Sequence, residues 1–116
     1  MKSYTDLKQS KKLTEILPLE SADMYWDYDV QKHEHYPMVM DDQFDDTCVR
    51  AWSLAALLDV LPYKESLILA INDFQGDRKE KYVIGSVEHD KYDCYADNPV
   101  DACYELLLKL NEVNLL

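Results

Sequence analysis

Apolar positions in this chain recur with two different periods, and the periods define the expected elements. Residues 5–17 read as a short helix, because Leu13, Ile16 and Leu17 fall at helical spacing. Ser3 or Thr5 is placed to cap it, Asp6 suits its N-terminal end, and Pro18 stops it. From Met24 to Val30 the pattern changes to aromatic or apolar residues alternating with acids, the mark of a strand with one wet face. His33 to His35 is the expected turn, and Tyr36 to Met40 the returning strand, confined to a sheet edge by Pro37. Asp41 to Asp46 then reads as an acidic loop.

The strongest helical pattern covers residues 48–61, with Trp52, Ala55, Ala56, Leu58 and Leu61 in register and Leu54 and Leu57 widening the stripe. Thr47 or Asp46 is the expected cap, and Pro62 the stop. Three strands follow over Ser66 to Phe74, Lys81 to Glu88 and Lys91 to Ala96. Turns at Gln75 to Arg78 and at His89-Asp90 separate them, and such short turns give an antiparallel meander. The last helix opens with Asn98 as cap, Pro99 at its first position and Asp101 in its first turn. It carries Ala102, Cys103, Leu106, Leu107 and Leu110 as its apolar stripe. This order predicts one α+β domain over residues 1–116, with roughly three helices mainly on one face of an antiparallel sheet of about three to five strands. An apolar content of 47 % argues against disorder, because it leaves enough surface to bury.

Charge changes this picture in one place. The chain carries a net −11. Residues 20–46 hold nine acids (Glu20, Asp23, Asp27, Asp29, Glu34, Asp41, Asp42, Asp45 and Asp46) against the single base Lys32. Such a segment repels nucleic acid and anionic membrane and attracts basic protein surfaces or cations. Tyr25, Trp26, Tyr28 and Tyr36 are interleaved with these acids, so rings could anchor a partner while carboxylates steer it. The competing reading is a sheet with one face on the core and the other in water. The expected interaction residues are Tyr25, Trp26, Asp27, Tyr28, Asp29, Tyr36, Asp41, Asp42, Asp45 and Asp46.

Other chemistry is thinly represented. Gly76 and Gly85 are the only glycines, which excludes a P-loop and a dinucleotide fingerprint. His33 and His35 are the best metal-like pair, with Cys48, His89 or the aspartates at 41–46 as further ligands, and a small metal-binding enzyme built on them is the alternative function. The aspartates at 41–46 lack the spacing and glycine of a calcium loop. Asp73, Asp77 and Lys79 have the residue types of a metal-dependent nuclease, yet they cluster at one hairpin turn and the chain is too acidic to hold nucleic acid. Cys48, Cys94 and Cys103 form no C-x-x-C pair and lie on or beside apolar stripes, as inert thiols do. No catalytic residue and no cofactor is expected. Met1 to Lys12 lacks the apolar core of a signal peptide, and Ala51 to Pro62 is too short to span a bilayer, so a cytoplasmic protein with reduced thiols is expected. The apolar residues Val113 to Leu116 are a candidate homodimer contact in a self-associating protein.

Three segments taken together, Lys12 to Met24 (KLTEILPLESADM), Trp52 to Leu58 (WSLAALL) and Asn98 to Leu110 (NPVDACYELLLKL), resemble a family of small uncharacterised proteins encoded by phages and integrated mobile elements of gut anaerobic bacteria. The acidic middle segment departs from that family. The resemblance implies a non-secreted accessory protein in the cytoplasm of a bacterial host, and it assigns no residue a role.

Overall fold

The computed structural model describes residues 1–62, 66–72, 79–87 and 92–116. They form α1 (Leu7–Thr14), a single 3-10 turn (Leu19–Ser21), β1 (Met24–Asp29), β2 (Glu34–Val39), β3 (Val49–Ala51), α2 (Leu54–Val60), β4 (Leu67–Ile71), β5 (Tyr82–Ser86), β6 (Cys94–Ala96) and α3 (Pro99–Glu112). The fold is α+β, with every strand pairing antiparallel among the described residues. The strands divide into two three-stranded sheets, ordered β2-β1-β3 and β4-β5-β6, where the sequence pattern suggests one. The turns at Gln75 to Arg78 and His89-Asp90, with Asp73 and Asp77, lie outside the described residues.

Helix α1 starts later than its pattern suggests. Its cap is Asp6, which accepts from Gln9 N at 2.8 Å while Gln9 Oε1 accepts from Asp6 N at 3.1 Å. Thr5 does not cap the helix. It is fully buried, and its Oγ1 accepts from Trp52 N at 3.1 Å. Helix α2 is also shorter than expected. Val49–Ala51 pairs with Trp26 to Met24 as β3, and the helix begins only after Ser53, whose Oγ accepts from Ala56 N at 3.2 Å. Trp52 is therefore not a helical residue. It is buried in the link, where its indole Nε1 donates to Ser21 Oγ at 2.9 Å.

Helix α3 matches its signature. Asp101 N donates to Asn98 Oδ1 and Asn98 Nδ2 donates to Asp101 Oδ2, both at 2.8 Å. Its stripe of Ala102, Cys103, Leu106, Leu107 and Leu110 packs with Leu13, Leu17, Trp52, Leu57, Leu61, Ile84, Cys94 and Ala96 in one continuous core. Helix α3 lies against β5 and β6 and touches α2, while α1 lies against β3. The second sheet supplies Ile84, Cys94 and Ala96 to this core, whereas the first sheet meets it through the contact of β3 with α1, and the molecule is elongated at 48 × 27 × 21 Å. The C-terminal turn folds back on itself through Leu115 N, which donates to Leu110 O at 2.9 Å, with Asn114 in the left-handed region. Leu115 reaches the core, whereas Val113 and Leu116 stay exposed. No described helix is long and apolar enough to cross a membrane.

Candidate interaction surface

The first sheet sorts the acidic segment into two faces. Side chains alternate along β1, so Tyr25, Asp27 and Asp29 point one way and Met24, Trp26 and Tyr28 the other. The register Asp27↔Tyr36, Asp29↔Glu34 and Tyr25↔Arg50 puts Tyr36, Glu34 and Arg50 on the first face. Trp26↔Pro37 and Tyr28↔His35 place Pro37 and His35 on the second.

The first face is acidic and organised by its own tyrosines. Tyr36 OH donates to Asp27 Oδ2 at 3.1 Å, and Tyr25 OH donates to Asp41 Oδ1 at 2.6 Å. That second bond brings the acidic loop over this face. Phe44 meets the Tyr25 ring edge-on at 5.3 Å, and the Arg50 guanidinium lies 4.7 Å above Phe44. Arg50 also stands 3.7 Å from Asp46. The carboxylates raise both phenols above their ordinary pKa: Asp41, then burial, acts on Tyr25, and Asp27, then burial, acts on Tyr36.

Several acids shape the backbone as well. Asp29 Oδ1 accepts from Gln31 N at 2.9 Å and Lys32 N at 3.1 Å, which builds the hairpin turn ending at His33 in the left-handed region. Asp41 accepts from Gln43 N, and Asp45 from the Thr47 amide and hydroxyl. The Thr47 bonds hold the Asp45 carboxyl below the usual carboxylate range. These bonds order the carboxylates without neutralising them, so the negative field of the segment survives.

The expected interaction residues therefore separate. Tyr25 is fully buried and belongs to the packing of the sheet. Trp26 is half-buried, edge-on to Tyr4 at 5.9 Å, with Nε1 donating to Ser10 Oγ at 3.2 Å, and so ties the sheet to α1. Asp27, Asp29, Tyr36, Asp41 and Asp46 gather on or beside one face, with Asp42 and Asp45 exposed in the loop beside it. Glu34 joins them by register. Tyr28, 43 % exposed, lies on the opposite face, and Tyr36 is 37 % exposed.

The histidines do not form the expected turn. Glu34 and His35 open β2, and His33 alone closes the loop. His35 packs on Tyr28 with ring centroids 4.9 Å apart, and His33 Nδ1 stands 3.4 Å from the Tyr28 hydroxyl. Among the described residues, no three His, Cys, Asp or Glu side chains are gathered as metal ligands. Cys94 and Cys103 are buried, and burial pushes the Cys103 thiol up to about 12.

A second acidic feature, which the sequence reading missed, lies outside residues 20–46. Glu80, Asp93, Asp97, Asp101 and Glu105, with Lys109, line a cleft of about 470 Å³ beside β6 and α3. Four of its acids lie within residues 93–105, Asp101 and Glu105 one helical turn apart on α3, and the fold adds Glu80 from the other side of β5. At one end Lys2 Nζ and Gln9 Nε2 each donate to Asp101 Oδ1 at 2.8 Å.

No family model matches the chain, and no curated protein or solved structure does.

Proposed function

We propose that this protein is a non-enzymatic interaction module whose acidic sheet face binds a basic protein surface, in the manner of a nucleic-acid charge mimic. The observation that carries this reading is the convergence of Asp27, Asp29 and Glu34 from the hairpin with Asp41, bonded to Tyr25, and Asp46, beside Arg50, from the loop that also carries the exposed Asp42 and Asp45. Lys32 is the single base within residues 20–46, and Arg50 stands 3.7 Å from Asp46. Tyr36 supplies an aromatic anchor on that face, held by Asp27. Carboxylates already positioned by hydrogen bonds lose less conformational freedom on binding than mobile ones. In keeping with the resemblance to phage and mobile-element proteins, we place the partner in a bacterial cytoplasm, as a basic nucleic-acid-binding protein of the host.

Capture from bacterial lysate with salt-step elution, followed by competition with duplex DNA, tests this reading. The expected result is a basic protein released by about 0.5 M salt, where screening acts over only a few ångströms, and displaced by DNA. Capture that resists both salt and DNA would reject the mimic.

A further inference from the structure

We propose that the outer edge of β4 is a self-association site, at which two copies of this chain pair β4 to β4 across a twofold axis and join their second sheets into one. The proposal begins with the hydrogen-bond phase of the ladder. Val87 N donates to Ser66 O at 3.0 Å and Asn72 N donates to Lys81 O at 2.7 Å. Antiparallel ladders alternate, so Ser66, Ile68, Ala70 and Asn72 turn their backbone groups toward β5. Leu67, Leu69 and Ile71 therefore turn their N–H and C=O groups outward, and no described strand meets them.

The other described edges carry the features by which proteins avoid such pairing. Strand β2 holds Pro37, with Glu34 charged at its start. Strands β3 and β6 are three residues long, and the chain leaving β3 is covered by Ser3–Thr5, with Thr5 N donating to Trp52 O and Leu54 N to Ser3 O. Strand β4 has none of these. Its five residues, Leu-Ile-Leu-Ala-Ile, are uncharged, free of proline and unbulged, with Ile68 51 % and Ile71 68 % exposed. Leu67 and Leu69 also line a groove of about 530 Å³ with Ala55, Leu58 and Asp59 of α2.

A second copy is the occupant that fits this edge. The outward residues are symmetric about Leu69. A twofold there sets Leu67 opposite Ile71 of the second copy, Leu69 opposite Leu69, and Ile71 opposite Leu67. Each pair exchanges two hydrogen bonds, so every outward donor meets an acceptor. The same register keeps Leu67, Leu69 and Ile71 of both copies on the groove side. Charge points the same way. Two chains of −11 approach most easily along a strand that itself carries no charge, Asp59 being the acid of the groove beside it, and a basic partner finds no carboxylate on β4.

Sedimentation equilibrium of the full chain from about 5 to about 500 µM, combined with residue-resolved amide exchange, tests this; a strand-edge contact is small, so micromolar dissociation is expected. The mass should rise from 13.6 kDa toward twice that value. The amides of Leu67, Leu69 and Ile71 should exchange freely when dilute and gain protection as the dimer fills. Ile68→Lys combined with Ile71→Lys, its fold verified by its amide spectrum, should weaken the dimer at least tenfold. Val39→Lys on the guarded sheet should leave it unchanged. A monomer at every concentration overturns the proposal, as does a dimer in which those three amides stay unprotected or one indifferent to the paired lysine substitutions.

Discussion

At the scale of single residues, what decides each role is the partner a side chain finds. Asp101 accepts from Lys2, Gln9 and Asn98 at once. Burial alone would raise its pKa, but these three bonds outweigh it and hold the carboxyl below the ordinary range. Burial likewise opposes the shift at Lys2, where the bonds to Asp101 and Asp6 win and raise the ammonium. The two signs give opposite pH limits. Stability from Asp101 is present above the ordinary carboxylate pKa and is lost as pH falls through its depressed value, that is, below about pH 4. Stability from Lys2 is present below about pH 10.4 and is lost as pH rises through its elevated pKa. Asp101→Asn should cost about 1 kcal/mol at neutral pH, given the partial exposure of the pair, and should flatten the acid limb of a denaturation-against-pH curve. An acid limb identical to that of the natural protein would contradict this role. The cysteines give a second residue-scale prediction. With Cys103 fully buried and its thiol near 12, and Cys94 also buried, a thiol reagent should label native protein quickly only at half-buried Cys48. Peptide mapping after brief labelling reads this directly, and fast modification of Cys103 would show that the core opens.

At the scale of elements, legibility follows the range of the interactions that make each one. Helix α3 is fully readable, because Asn98, Pro99, Asp101 and the leucine stripe act within a few residues of one another. Strands β4, β5 and β6 are readable from short turns and β-rich composition, and β2 from Pro37, which an edge strand tolerates. Strand β3 is not. Val49, Arg50 and Ala51 merge in sequence with the apolar run of α2, and only their pairing with Trp26, Tyr25 and Met24 makes them a strand. The cap of α2 is hidden for the same reason, since Ser53 sits inside that run. Thr5 reads as a cap until its hydroxyl is drawn to Trp52 N, a partner 47 positions away. In the acidic segment, the sequence places the charge but not the faces: Tyr25 and Trp26 look like contact residues, yet their ring partners Phe44 and Tyr4 lie far along the chain. The cap of α2 yields a prediction. Ser53 Oγ accepts from Ala56 N and donates to Asp23 Oδ2. Ser53→Ala should destabilise the protein by about 1–2 kcal/mol in urea unfolding, and a change below a few tenths would mean the helix does not depend on this cap.

At the scale of the whole molecule, charge and apolar surface are kept apart. The first sheet carries the acids of residues 20–46, and the second, with an acidic cleft beside β6, offers an uncharged strand at its opposite edge, β4. A chain of −11 with nine acids concentrated in residues 20–46 should meet its partner through long-range attraction, so its affinity should depend on salt more than on any single contact. Glu34, Asp42 and Asp46 are exposed, and replacing them leaves the bonds of Asp27, Asp29 and Asp41 in place. The most direct measurement is the dissociation constant for the captured basic protein as a function of salt, for the natural chain and for the combined Glu34→Gln, Asp42→Asn and Asp46→Asn variant. If the acidic face binds the partner, affinity falls at least about tenfold between 0.1 and 0.5 M salt, and the variant binds more weakly with a shallower salt slope. Equal affinities and equal slopes for the two proteins would contradict the acidic face as the binding surface.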